Sequence, residues 1–192
     1  EFTGHTKRVR AIDVAPDGKS IATGSQDGFL IIWNPETGEE IKRFDLKQSD
    51  RGLEIYDVQF SNSGDNLVAL GFDRLVLFET KNWTQRSADI AKMADKNFVL
   101  TGWKVVFSPL GKTLAVGSFN GDVAFVNVET LEILRVLRIH RANVKSLAFS
   151  ADGKMLVTGS ADRTVKLIDV ASGETVGELR GHFSGVHEVS FS

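Results

Sequence analysis

The side chains able to do chemistry in this chain are few, and their spacing decides between catalysis and architecture. His5, His140, His182 and His187 are its only histidines, and cysteine is absent. Thiol chemistry, disulfides and thiolate metal sites are therefore excluded, leaving imidazole and carboxylate as metal ligands. Three of the histidines, His5, His140 and His182, stand at equivalent places in successive segments, which favours structural hydrogen bonding over a metal site. Gly111-Lys112-Thr113 could close a phosphate loop, but that motif needs a glycine five residues earlier, where Val106 stands. Asp27, Asp73 and Asp162 lie too far apart in the repeat pattern to act as paired carboxylates. Asn82-Trp83-Thr84 is a glycosylation sequon, read here as the end of a surface strand. No nucleophile, base and orienting group stand out together, so neither catalysis nor a cofactor is expected.

What positions these residues is a repeated unit. "VAPDG" (14–18), "FSNSG" (60–64), "FSPLG" (107–111) and "FSADG" (149–153) align at their glycines, with intervals of 46, 47 and 42 residues between Gly18, Gly64, Gly111 and Gly153. "IATGSQDGFLIIWN" (21–34) likewise returns as "LVTGSADRTVKLIDV" (156–170). Each unit holds short runs rich in Val, Ile, Leu and Thr between Asp-Gly and Ser-Gly turns, the signature of antiparallel hairpins rather than helices. One stretch, "SADIAKMADK" (87–96), reads as helical with Ser87 as its N-cap, and is expected to be an insertion between units.

At these residues the chain resembles the WD-repeat β-propellers over essentially its whole length. Repeats of that family carry Gly-His before the first strand, Ser or Thr in the second, Asp in the following turn and Trp in the third. Repeat one supplies Gly4-His5, Thr23, Asp27 and Trp33. His5 and Asp27 are 22 residues apart and Thr23 and Asp27 four, and His140, Thr158 and Asp162 repeat both intervals. The resemblance implies that His5, Thr23, Asp27 and Trp33, and His140, Thr158 and Asp162, form structural hydrogen-bond networks. Ile168 stands at the Trp33 position, so the fourth repeat is expected to be one link short. Repeat two keeps only Asp73, with Ala69 at the hydroxyl position, and repeat three has Asn120, Val116 and Phe98. The resemblance implies an all-β fold of four-stranded antiparallel blades, either an open arc or part of a ring of about seven. Blades are expected near 4–44, 52–90, 101–137 and 140–180. Residues 181–192, with "GVHEVSFS", are expected to begin the first strand of a fifth. Closure would then come from further blades or another chain.

In this family the loops entering the first and third strands share a face that commonly receives peptides. The matching positions here are Arg8, Arg10 and Gln26; Glu54, Tyr56 and Phe72; Thr101, Trp103 and Phe119; and Asn143, Lys145 and Ala161. Aromatic anchors beside basic residues predict a protein or peptide partner with an apolar or aromatic anchor and acidic flanks, the insertions near 45–52 and 87–101 entering the same face. The function expected is a non-catalytic scaffold. The alternative is a regulatory or sensor domain of a larger enzyme or signalling protein.

The bulk properties agree with this reading. Of 192 residues 42% are apolar and 25% charged, ample for a core, and 23 basic residues against 25 acidic leave a net charge of −2. That balance gives no whole-chain attraction to nucleic acid. No apolar run approaches a membrane span, and "EFTGHTKRVR" (1–10) lacks the apolar centre of a signal peptide, so an intracellular, cytoplasmic or nuclear, location is expected.

Overall fold

In a computed structural model, residues 2–47, 54–90 and 101–191 are described. Their alternation of short β-prone runs with tight turns folds into sixteen strands, arranged in two compact units, Glu1–Ala88 and Asp89–Ser192. In the first unit β1 (Val9–Val14), β2 (Ile21–Ser25), β3 (Phe29–Trp33) and β4 (Glu40–Asp45) pair in sequence order. β5 (Ile55–Phe60), β6 (Asn66–Gly71), β7 (Arg74–Glu79) and β8 (Thr84–Asp89) make a second sheet in the same order. The second unit repeats the pattern with β9 (Gly102–Phe107), β10 (Thr113–Ser118), β11 (Asp122–Asn127) and β12 (Ile133–Arg138). It ends with the sheet of β13 (Val144–Phe149), β14 (Met155–Ser160), β15 (Val165–Asp169) and β16 (Thr175–Leu179). The fold is thus all-β, built of separate four-stranded antiparallel sheets that follow one another along the chain as propeller blades do.

The repeated glycines have one job. Gly18, Gly64, Gly111 and Gly153 close the turns between the first and second strands with φ of 71°, 77°, 68° and 70°. Each donates its N–H over 2.8 Å to the carbonyl of the residue three before it, a geometry a side chain would strain.

Middle strands are buried and fourth strands exposed: β3 buries Leu30, Ile31, Ile32 and Trp33, whereas most of β16 faces solvent. Within each unit, neighbouring sheets meet through a shared device. At Gly24, a Cβ would fall 2.4 Å from Ile55 and 3.0 Å from Val58, so only glycine lets β5 lie this close to β2. Gly117 receives Val144 and Leu147 in the same way, and Gly159 receives Val186 and Val189. Ile55 and Val58 are 0% and 3% exposed, but Val9 and Ile12, their counterparts on β1, are 45% and 66% exposed.

Two local expectations differ from the structure. Ser87 caps no helix, because it lies inside β8, where pairing to β7 at the sheet edge outweighs a local capping preference. The rest of that stretch from 91 onward lies outside the described residues. Residues 181–191 are described without strand pairing, although Val186 and Val189 sit against Gly159 as Ile55 and Val58 sit against Gly24. They are nevertheless anchored, with Val186 N–H donating to the Ser160 carbonyl at 2.9 Å and Val189 N–H to Ser146 Oγ at 3.1 Å.

Candidate functional site

The polar groups of the first sheet converge where the segment before β1 meets the β2–β3 turn. His5 Nδ1 lies 3.2 and 3.1 Å from the two Asp27 oxygens, and His5 Nε2 lies 2.8 Å from Thr23 Oγ1. Trp33 Nε1–H donates to the same Thr23 oxygen at 2.7 Å. Ionised Asp27 can only accept, so His5 Nδ1 carries a hydrogen and donates to it. The Thr23 hydroxyl also reaches the Ile31 carbonyl, at 3.4 Å. Burial alone would raise the Asp27 pKa, but the N–H groups of Phe29 and Thr6 and the His5 ring outweigh it and hold the carboxyl at about 2.

The fourth sheet builds the same core from His140, with Nδ1 2.9 Å from Asp162 Oδ2 and Nε2 2.7 Å from Thr158 Oγ1. Ile168 brings no indole N–H, but Thr164, which sequence reasoning passed over, adds a different link. Its hydroxyl donates to Asp162 Oδ1 at 2.6 Å and its N–H to the same oxygen at 2.9 Å. The Asp-x-Thr spacing was the available signal, since a threonine two residues after an aspartate readily joins such a turn. Burial would raise Asp162, yet the Thr164 hydroxyl, the N–H groups of Arg141 and Thr164, and His140 hold it far below the ordinary carboxylate range. Burial also pushes His140 below its ordinary value despite Asp162 beside it, so the ring is neutral near neutral pH. The sheets between differ: Ala69 and Val116 are buried and apolar, Asp73 lies in the β6–β7 turn, and Phe98 is outside the described residues. In the third sheet Ser118 Oγ accepts from Asn120 N at 3.1 Å, as Ser25 and Ser160 do from Asp27 N and Asp162 N, and also from Asp122 N at 3.0 Å.

The expected partner-binding residues fall into two groups, one in each unit. In the first, Glu54 is the hub: Gln26 Nε2 donates to it at 3.3 Å and Arg10 lies 3.8 Å away. The Arg10 guanidinium also sits 4.9 Å from the Tyr56 ring centre, so this ring is capped rather than bare. Burial, followed by the Glu54 charge, raises the Tyr56 phenol. Arg8 and Phe72 are exposed at the same end of the strands. In the second unit, Trp103 and Phe119 meet edge to face at 4.7 Å, and the Lys145 ammonium lies 4.6 Å over the indole. Beside them, the buried Thr101 Oγ1 and Asn143 Oδ1 have no hydrogen-bond partner among the described residues. Aromatic, cation and unsatisfied polar atoms thus share one end of β9 and β13, an arrangement suited to binding another surface and offering no general base or nucleophile.

Among the described residues, no group of three or more His, Asp or Glu side chains could hold a metal ion, and no helix is long and apolar enough to cross a membrane.

With the geometry in place, comparison with known proteins is informative. The family model "WD domain, G-beta repeat" matches residues 1–34 and 131–169, the segments that contain the two complete His–Thr–Asp networks. The chain is similar to WD repeat-containing protein VIP3 of Arabidopsis thaliana, with 32% identity over 159 residues, covering 77% of this chain and 47% of that protein. It is similar to eukaryotic translation initiation factor 3 subunit I of Aspergillus terreus, at 28% over 151 residues, covering 72% of this chain and 42% of that one. A shorter likeness, 35% over 69 residues, links it to ribosome biogenesis protein ERB1 of Debaryomyces hansenii, covering 36% and 7%. The chain spans about half the length of VIP3 and of the initiation factor subunit. Repeated four-stranded sheets, the His–Thr–Asp networks at fixed spacing and these matches lead to one conclusion: the chain belongs to the WD-repeat family.

Proposed function

We propose that this chain is a non-catalytic interaction scaffold that holds a protein or peptide partner on the face where the segments before the first strands meet the turns before the third. The observation that carries the proposal is the Trp103–Phe119 pair under the Lys145 ammonium, next to the orphaned oxygens of Thr101 and Asn143. A buried oxygen without a partner is costly, and a peptide N–H would relieve it. The indole and ammonium favour an aromatic or apolar anchor with acidic neighbours. In the first unit, Arg8, Arg10, Gln26, Glu54, Tyr56 and Phe72 offer a second patch at the corresponding positions, in which Gln26 and Arg10 engage Glu54 and the buried Arg10 Nε has no partner among the described residues. Two relatives carry names consistent with assembly work, one being a subunit of a translation initiation factor.

The test is to purify the full-length protein with its partners and compare it with Trp103→Ala. Loss of a central aromatic is expected to weaken the principal partner about thirtyfold, the ~2 kcal/mol typical of an interface hot spot. Tyr56→Ala is expected to add a smaller loss, since Arg10 already covers that ring. Undiminished partner recovery in Trp103→Ala would move the site elsewhere. A large drop in melting temperature would reassign the rings to the core.

A further inference from the structure

Beside the fourth sheet's hydrogen-bond network, the second unit carries a cleft of about 580 Å³ built from residues other than those of the proposed partner face, apart from Ala161 at its rim. Arg138, Arg141, Arg163, Lys166 and Arg180 bring five cationic side chains to it, against the carboxylates of Asp162 and Glu178. Both acids are engaged. Asp162 accepts from His140, Arg141 N and Thr164, and Glu178 pairs with Arg180 at 2.8 Å. Lys166 donates to the Ile139 carbonyl, and Arg138 also faces Asp122 across the β11–β12 pair. Arg141 and Arg163 are exposed at the rim.

The first sheet shows how unusual this is. At the place of Thr164 it has Phe29, whose ring lies 5.2 Å from the Arg43 guanidinium and 3.8 Å from the Lys47 ammonium. There an aromatic face answers the cations. In the fourth sheet Thr164 stands in place of that ring, its hydroxyl turned to Asp162, and among the described residues no Phe, Tyr or Trp lines the cleft. Arg163 adds a second, independent sign. It stands where Gly28 and Gly121 occupy the equivalent turns, and it holds φ at 74°, a left-handed conformation unfavourable for a long side chain. A strained arginine in place of glycine adds charge to a cleft already rich in charge.

We propose that this cleft binds a phosphoryl group on a serine or threonine of an extended peptide. Arginine suits phosphate because its planar donors match the oxygens in pairs, and gathered cations are relieved by a dianion. A peptide is favoured over a free anion because the cleft borders β16, the last strand of its sheet, whose outer backbone edge is free to pair. The same strand leaves Val176 56% exposed, an apolar contact for a residue of the peptide further along the strand.

The test titrates the full-length protein by fluorescence anisotropy with a labelled ten-residue peptide bearing one phosphoserine beside leucine. Its unphosphorylated twin, inorganic phosphate as competitor and phosphoinositide-containing vesicles are run alongside. The phosphopeptide is expected to bind at least tenfold tighter than its twin, with the advantage shrinking as salt rises. Arg141→Glu combined with Arg163→Glu should remove it. Arg163→Gly keeps the backbone geometry that glycine prefers, so it should fold at least as well and still weaken phosphopeptide binding severalfold. Equal binding of the two peptides, or unchanged binding in Arg163→Gly, overturns the proposal. Inorganic phosphate displacing the peptide at the peptide's own affinity, or binding to vesicles alone, overturns the peptide as the source of the phosphoryl group.

Discussion

A single aspartate in each complete network accepts most of the hydrogen bonds around it, so its removal strands several donors together. Asp162 takes bonds from a ring nitrogen, a hydroxyl and two backbone N–H groups. Asp162→Ala is expected to cost ~1–3 kcal/mol, from buried groups left unpaired, and more than Asp73→Ala, whose neighbour Ala69 has no hydroxyl to strand. Urea denaturation of the two variants decides this, and a larger loss at Asp73 would refute the assignment. Acid should act on the same groups. The fold holds His140 neutral, with its pKa below the ordinary 6.5, so unfolding takes up a proton there and stability falls as pH drops through 6.5. Asp27, at about 2 against an ordinary 3.8, contributes stability that is intact above 3.8 and lost as pH falls toward 2. Urea midpoints between pH 8 and 3 should therefore decline first below 6.5 and again below about 4, with His140→Gln flattening the first decline. A midpoint constant from pH 8 to 5 would contradict a buried neutral His140. The His and Asp spacing was legible because strand register turns a fixed interval into a fixed meeting point. Thr164 was signalled only by its place two residues after Asp162, and whether such a hydroxyl joins a network depends on its rotamer and on what stands opposite. Nor could the sequence show that Arg10 lies over Tyr56, a contact between two strands far apart along the chain.

At the scale of the element, the second strand's glycine sets how closely the next first strand approaches. Gly24→Ala would place a methyl within 2.4 Å of Ile55 Cγ2. That overpacking is expected to cost ~1–3 kcal/mol. Gly24→Ala combined with Ile55→Ala, which removes the clashing Cγ2, should cost less than the sum of the two single changes, as thermal melting would show, and a neutral Gly24→Ala would mean the two strands can separate freely. The strands and turns were legible here because period-two apolar runs and Asp-Gly or Ser-Gly pairs act locally. Ser87 was misread because a local N-cap preference of about 1 kcal/mol yields to a row of ladder hydrogen bonds. Residues 181–191 resemble a first strand in composition, and Val186 and Val189 take the first-strand place against Gly159.

For the molecule as a whole, the row of Val9 and Ile12 on β1 is apolar and exposed, while its counterparts on β5 are buried in a glycine notch. The closure expected from the sequence, by further blades or another chain, would cover this row in the full-length protein. Ile12→Asp in that protein should then lower stability by ~2–3 kcal/mol, whereas a residue facing solvent would cost within ~0.5 kcal/mol. An unmoved urea midpoint would leave the row in water. The glycine notches at Gly24, Gly117 and Gly159 also carry a dynamic consequence. Each secures its neighbouring segment by two apolar side chains, so opening one notch need not open the next. Amide hydrogen exchange should therefore report openings that travel one notch at a time, with the slowest amides in buried middle strands such as β6 and β10.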